Sequence, residues 1–214
     1  MTIGLLLAAA IVAVGDWAAV GRRYFRIEYL LKPLTLVLLI AAAAAADLGA
    51  AKVWVLAALA FSLAGDVALV CSDRAAAEPD SALLIGLGSF LLGHVCYLIA
   101  FARHGVHGLY LLAGLLVVAG AAALSLPQVL AGARRTGGRQ LAIIVACYAV
   151  LLAAMAVFAV GTGTIATALG GLLFLASDTV LGHDRFVRRV PRGPLLVIVS
   201  YHAAQLLIVI GLLR

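Results

Sequence analysis

Of 214 residues, 66% are hydrophobic and only 11% are charged, with a formal net charge of +6. Soluble domains are roughly half apolar and about a quarter charged, so this chain has too little polar residue to cover a water-facing core, and lipid must be the solvent for much of its surface. A soluble globular enzyme is thereby excluded; the positive excess sits in links between apolar runs, where it reports membrane topology and not nucleic-acid binding.

The expected fold is all-α: a polytopic membrane protein forming one transmembrane domain over residues 1–214, a bundle of eight helices without a substantial soluble part. The spans fall at about 3–20, 32–46, 53–71, 82–102, 107–127, 139–160, 163–181 and 194–213, most of them close to the ~20 apolar residues a crossing helix needs. The first begins Met1-Thr2-Ile3 with no positive n-region and stays apolar to about Val20, so it reads as a membrane helix and not as a signal peptide. The second opens on Lys32-Pro33 and runs into Ala41 to Ala46, a good helix former with side chains small enough for close packing. Lys32 suits either snorkelling to the interface or holding a lipid phosphate. The third carries Ser62 and Asp66. The fourth carries Phe90, His94 and Tyr97 on one face; its Gly86-x-Gly88 follows no strand and is no phosphate loop. The outer link holds His104 and His107, an HxxH with no carboxylate nearby and poor ground for a metal. Pro127 and Gly137-Gly138 separate the fifth span from the sixth. The seventh carries Asp178, and the eighth carries Tyr201, His202 and Gln205 as one polar stripe. Cys71, Cys96 and Cys147 lie in apolar runs without a CxxC and read as small buried hydrophobes. No metal site or other cofactor is expected, and without a GxSxG no serine-hydrolase elbow.

Orientation follows from the basic residues. The odd-numbered links hold Arg22, Arg23, Arg26, Lys32, Arg74, Arg134, Arg135, Arg139, Arg185, Arg188, Arg189 and Arg192, and the other side holds only Lys52, Arg103 and Arg214. The positive-inside rule places the odd links in the cytoplasm and both termini outside, in the cell (inner) membrane. Trp17 and Trp54 fall near opposite helix ends, where interfacial aromatics belong.

The third and seventh spans share a pattern: Leu63-Ala64-Gly65-Asp66-Val67-Ala68-Leu69 against Leu175-Ala176-Ser177-Asp178-Thr179-Val180-Leu181. The span after each carries a histidine, His94 and His202. Two parallel four-helix repeats, helices 1–4 and 5–8, would produce this, because an even number of crossings per half keeps the halves parallel. Chance among the abundant Leu and Ala is the alternative.

An ionised carboxylate at bilayer depth costs several kcal/mol, so Asp66 and Asp178 are the foremost candidates for function. A structural carboxylate bonded to a hydroxyl or amide is the competing explanation for each, as interhelical hydrogen bonding is for His94 and for the stripe of Tyr201, His202 and Gln205.

Lys32-Pro33-Leu34, Phe61-Ser62-Leu63-Ala64-Gly65-Asp66, Phe90-Leu91-Leu92-Gly93-His94-Val95-Cys96-Tyr97, Gly171-Leu172-Leu173-Phe174-Leu175-Ala176-Ser177-Asp178 and Tyr201-His202-Ala203-Ala204-Gln205 occur in this order. With these motifs the chain resembles the YhhN family of membrane proteins, which includes the lysoplasmalogenases, from about Lys32 to the C-terminus. The resemblance implies eight helices and hydrolysis of the vinyl ether bond of lysoplasmalogens, giving a fatty aldehyde and a glycerophospho-alcohol. The partners it implies are a single-chain phospholipid substrate and the surrounding membrane lipids, with no nucleic acid.

Vinyl ether hydrolysis requires an acid for the carbon β to oxygen, a base to activate water, and negative charge near the oxocarbenium ion between the two steps. Two carboxyl groups in a poorly hydrated site supply these, since like charges close together do not both ionise cheaply; glycosidases meet a similar cation in this way. Asp66 and Asp178 are the expected catalytic pair, with Ser62, His94, Tyr97, Tyr201, His202 and Gln205 as supporting groups and Lys32 at the lipid phosphate. A lipid-binding or lipid-moving protein without catalysis, or a proton-coupled transporter with the aspartates as relay groups, would use the same residues.

Overall fold

In lipid, a backbone must satisfy its own hydrogen bonds, and a run of Ala, Leu and Val does so as a helix. The computed structural model describes residues 1–74 and 79–214, apart from the side chains of 25 and 70–84; the side chains of Cys71 and Arg74 therefore lie outside the described residues. The helices are α1 (Thr2–Gly21), α2 (Phe25–Ala45), α3 (Lys52–Arg74), α4 (Pro79–His104), α5 (Gly108–Gly161), α6 (Ile165–Phe186) and α7 (Gly193–Gly211), with a 3₁₀ turn over Gly49–Ala51 before α3. All seven contain a stretch long and apolar enough to cross a membrane.

The chain divides into two units, Met1–His104 with Leu212–Arg214, and Gly105–Gly211. In the first, α1 packs on α2, α2 on α3 and α3 on α4. The last residues join this unit through the Arg214 N–H, which donates to the Asp47 carbonyl at 3.1 Å. Side-chain size on α1 is distributed as lipid demands. Ile3, Leu7, Ile11 and Val14 point outward, while Ala9, Ala13 and Ala19 are buried with Leu6 and Asp16. Large aliphatic groups lose nothing against lipid tails, whereas helix–helix contact gains from small residues that bring backbones close.

The second helix begins seven residues before the expected start. Arg26 and Glu28 resemble loop residues in sequence, but they fall within α2, whose continuous helix runs through Pro33. Proline removes one backbone hydrogen bond there and leaves the rest of the ladder intact. The fourth helix also begins earlier than expected, at Pro79, a position where the missing N–H costs nothing.

In the second unit α5 contains both the fifth and the sixth expected spans. Its 54 residues would reach roughly 80 Å as one straight helix, far beyond the ~30 Å hydrocarbon core. Helical geometry is interrupted at Gly137 (φ −131°, ψ 23°) and Gly138 (φ 69°, ψ −164°), the latter a conformation that only glycine adopts cheaply. The chain folds back there. Gly114 lies against Val157 and Val160, Gly161 lies against Leu111, and the His107 N–H donates to the Gly161 carbonyl at 2.8 Å. At the turn end, Val129, Ala133 and Val145 pack with Leu141, Phe186 and Val187.

Between this hairpin and α7 lies α6, and two adjacent glycines set its fit. A Cβ on Gly170 would come within 2.9 Å of the Ala204 carbonyl on α7. A Cβ on Gly171 would collide with the Ala159 methyl on α5.

Candidate active site

The polar residues of the first unit occupy the inward stripes of its helices. On α3 the buried positions run Val55, Leu59, Ser62 and Asp66, and on α2 they run Leu36, Leu39 and Ala43, with Lys32 one turn earlier. The Lys32 Nζ lies 3.1 Å from Asp66 Oδ1, with the two side chains 15% and 1% exposed. At such depth either charge alone costs several kcal/mol; together, each offsets much of the other's desolvation.

Asp16 on α1 is fully buried and feels the charges of Glu28, Lys32 and Asp66. The α1–α2 contact is close at this level, since a Cβ on Gly15 would sit 3.3 Å from Leu31 Cδ1. Glu28 lies one helical turn before Lys32, the spacing at which oppositely charged side chains meet.

On the other side of α3, glycines let α4 approach. A Cβ on Gly93 would be 3.4 Å from Ser62 Oγ, and Gly65 is covered by the Phe90 ring. His94 and Tyr97, three residues apart, are both buried on α4, and the Tyr97 ring stacks on Phe101 with centroids 5.8 Å apart. The first unit thus gathers Asp66, Lys32 and Ser62 on the helices that pack together, with His94 and Tyr97 on the inward face of α4.

The second unit holds the other set. Asp178 on α6 accepts a 2.5 Å hydrogen bond from the Tyr148 hydroxyl on α5, and Tyr201 on α7 is within electrostatic reach of Tyr148. Tyr201 packs edge-on to Phe174, with centroids 5.4 Å apart and rings 88° from parallel. The neighbouring Ser177 Oγ donates to the Val197 carbonyl at 3.1 Å and so fastens α6 to α7. His202 and Gln205 are fully buried on α7, on the stripe that continues through Ile208.

Asp66 and Asp178 belong to different units, and each has a partner contributed by the preceding span: Lys32 for one, Tyr148 for the other. Among the described residues no group of three or more His, Cys, Asp or Glu side chains is placed to hold a metal ion. Lys32, expected at a lipid phosphate, directs its ammonium to Asp66. Asp16 and Tyr148 were not singled out from sequence. For Asp16 a signal was present: it continues the small-residue stripe of Ala9 and Ala13, which marks the packing face of α1. Tyr148 has no comparable sign, because a tyrosine in an apolar helix does not announce a partner 30 residues away.

A family model described as the YhhN family matches residues 27–212. The chain belongs to the YhhN family. Only α1, and Asp16 with it, falls entirely outside the matched region. This YhhN chain is 34% identical over 184 residues to proteins named lysoplasmalogenase from Mycobacterium bovis and Mycobacterium tuberculosis, over 82% of its own length and 66% of theirs. It is 35% identical over 151 residues to a human protein named lysoplasmalogenase TMEM86B, over 69% of its own length and 62% of the relative's. The matches thus span just under two thirds of the length of these relatives. No solved structure matches the chain.

Proposed function

We propose that this YhhN-family protein is a membrane hydrolase of the lysoplasmalogenase type, cleaving the vinyl ether bond of a single-chain phospholipid. The observation that carries the proposal is the pair of acidic residues within apolar helices, each given its own dedicated partner, in a chain related to proteins named for that activity. Carboxyl groups kept at such cost are retained for what they do.

In the proposed reaction Asp178 delivers a proton to the carbon β to the ether oxygen, and the π electrons form the new C–H bond. The oxygen lone pair stabilises the resulting oxocarbenium ion. Water attacks the carbon attached to oxygen while Asp66, with an ammonium as counter-ion, takes the water's proton. The hemiacetal then collapses, its C–O bond breaking to leave a fatty aldehyde and the glycerophospho-alcohol; that step returns the proton that resets the pair. General acid–base assistance of this type contributes roughly 10²–10⁴-fold per group. Tyr148 orients the Asp178 carboxyl, Ser62, His94 and Tyr97 position groups around Asp66, and Tyr201, His202 and Gln205 do so in the second unit. Lys32 has three N–H donors, enough to serve Asp66 and a lipid phosphate together.

The same proposal includes eight crossings, with the two arms of α5 counted separately and Gly137-Gly138 as their turn, and a parallel repeat of two four-span units. The break between the units after His104, and the matched placing of Lys32 and Tyr148 one span before each aspartate, support the repeat. Both termini lie outside and the arginine-rich links in the cytoplasm.

The test is product analysis with purified protein in lipid nanodiscs, offered a defined vinyl-ether lysolipid and its ester counterpart. Aldehyde should appear from the vinyl ether alone, and Asp66→Asn and Asp178→Asn should each slow it by at least about 100-fold. Folded wild-type protein that releases no aldehyde, or that moves lipid across the bilayer without cleaving it, overturns the proposal. So does wild-type turnover in both variants.

A further inference from the structure

The ion pair at Asp66 poses a problem that the rest of the first unit answers. If Asp66 takes a proton from water it becomes neutral, and Lys32, 15% exposed, is left with its positive charge and no partner at the moment of reaction. A buried ammonium that loses its counter-ion opposes the step that removes it. A base tied to a single cation is therefore a poor base.

Two further carboxylates lie near Lys32: Glu28, one turn earlier on the same helix and the stronger influence while the Lys32–Asp66 pair is intact, and then Asp16 on α1. Glu28 is only half-buried and lies near the start of α2, where water screens its charge. Asp16 is fully buried on the packing face of α1 and is poorly screened. It sits at the level where α1 meets α2 beside Leu31, the residue preceding Lys32.

We infer that Asp16 is a positioning residue that acts through Lys32: it is the second counter-ion that holds the ammonium while Asp66 is protonated, and so allows Asp66 to serve as the base. The inference rests on the vinyl-ether hydrolase proposal for its catalytic part. Its electrostatic part rests on the burial of Asp16, the contact of α1 with α2 at Gly15 and Leu31, and the Lys32–Asp66 pair. Asp16 precedes the region matched by the family model, whereas Lys32 and Asp66 lie within it.

Two measurements test it together. The first is steady-state hydrolysis of a vinyl-ether lysolipid by wild type, Asp16→Asn, Asp16→Glu and Glu28→Gln in nanodiscs. Asp16→Asn should lower kcat about tenfold, a fraction of the 10²–10⁴-fold that a complete acid–base group provides, and leave KM within about twofold of wild type. Asp16→Glu, which keeps the charge, should recover most of the loss, and Glu28→Gln should fall far short of the Asp16→Asn effect. The second is thermal unfolding across a double-mutant cycle with Lys32→Met, which needs no activity. Asp16→Asn should lower Tm in the wild-type background and raise it in the Lys32→Met background, where it removes a buried carboxylate that has lost its cation.

Additive Tm changes overturn the inference, because they mean that Asp16 only fills space. Unchanged kcat in Asp16→Asn, or an equal loss in Glu28→Gln, also overturns it. A wild-type protein that releases no aldehyde defeats the functional proposal instead, and the thermal cycle still decides whether Asp16 holds Lys32.

Discussion

Replacing Lys32 by methionine keeps the length and apolar stem of the side chain and deletes only its charge, which isolates the Lys32–Asp66 pair. At the observed 3.1 Å, two unit charges attract by about 5 kcal/mol at an effective dielectric constant of 20. The variant loses that attraction and leaves Asp66, 1% exposed, without its cation. Breaking one side of a buried pair costs about 3–5 kcal/mol; uptake of a proton by Asp66 relieves part of it, so the lower end, about 3 kcal/mol, is expected. For a chain of this size each kcal/mol moves Tm by roughly 2–4 °C, so the variant should melt about 6–12 °C below wild type. Lys32→Met/Asp66→Leu should recover most of that loss, since exchanging both partners for apolar groups removes the uncompensated charge. Thermal unfolding in one detergent, followed by tryptophan fluorescence, measures all three proteins. A Lys32→Met variant within about 2 °C of wild type, or a double variant no more stable than the single one, refutes the assignment of the ion pair as a buried, mutually dependent unit.

Tyr148→Phe removes the 2.5 Å donor to Asp178; a hydrogen bond to a neutral, protonated carboxyl contributes about 0.5–1.5 kcal/mol, so aldehyde release should fall by about two- to tenfold in a protein whose circular dichroism is unchanged. Gly171→Val pushes side-chain atoms into the Ala159 methyl on α5 and should destabilise by about 1–3 kcal/mol, read as a lower Tm. Gly120→Ala, where a Cβ meets nothing within 4 Å, should leave Tm equal or slightly raised, as helical glycine costs about 0.5–1 kcal/mol relative to alanine. In a cysteine-free background, Arg135→Cys should react with a membrane-impermeant maleimide only after the cell is opened, and Lys52→Cys should react in intact cells; the reverse pattern inverts the orientation.

Helix existence was legible in this chain because lipid leaves so few alternatives: an apolar run must close its own backbone hydrogen bonds, and the runs are long. The boundaries were less legible where charge misled. Arg26 and Glu28 resemble a loop yet form the first turns of α2, because the interfacial end of a membrane helix tolerates charge that its centre does not. The α5 hairpin shows the converse. Hydropathy separates 107–127 from 139–160, and the backbone turns only at Gly137-Gly138; the nine residues between Pro127 and that turn remain helical, and Val129, Leu130 and Ala133 among them pack with Val145 and Phe186, a tertiary contact without a local signature. Of the candidate site, the two aspartates stood out because charge inside an apolar helix is rare. Their partners did not. Lysine before proline at a helix start reads as a snorkelling residue, and pairing with Asp66 becomes visible only when α2 is seen to begin seven residues earlier, which carries Lys32 from the helix end to its third turn.

That shift also separates the two aspartates chemically. Each takes a partner from the helix before its own, but one partner is an ammonium and the other a phenol. An ammonium attracts the ionised carboxylate and has no acceptor to offer a protonated one. A phenol hydroxyl both donates and accepts, so it can remain bonded to a carboxyl group in either state. Two carboxyl groups in identical settings would compete for the same role; here the settings differ in the way that acid and base must differ. The consequence is directional. Lys32→Met should harm the step in which water is activated, and Tyr148→Phe should harm the step in which carbon is protonated. Only the carbon-protonation step transfers a proton to carbon in its transition state, so the solvent deuterium isotope effect on aldehyde release should rise in Tyr148→Phe and fall in Lys32→Met. Equal isotope effects in the two variants would mean that the neighbours do not set the roles.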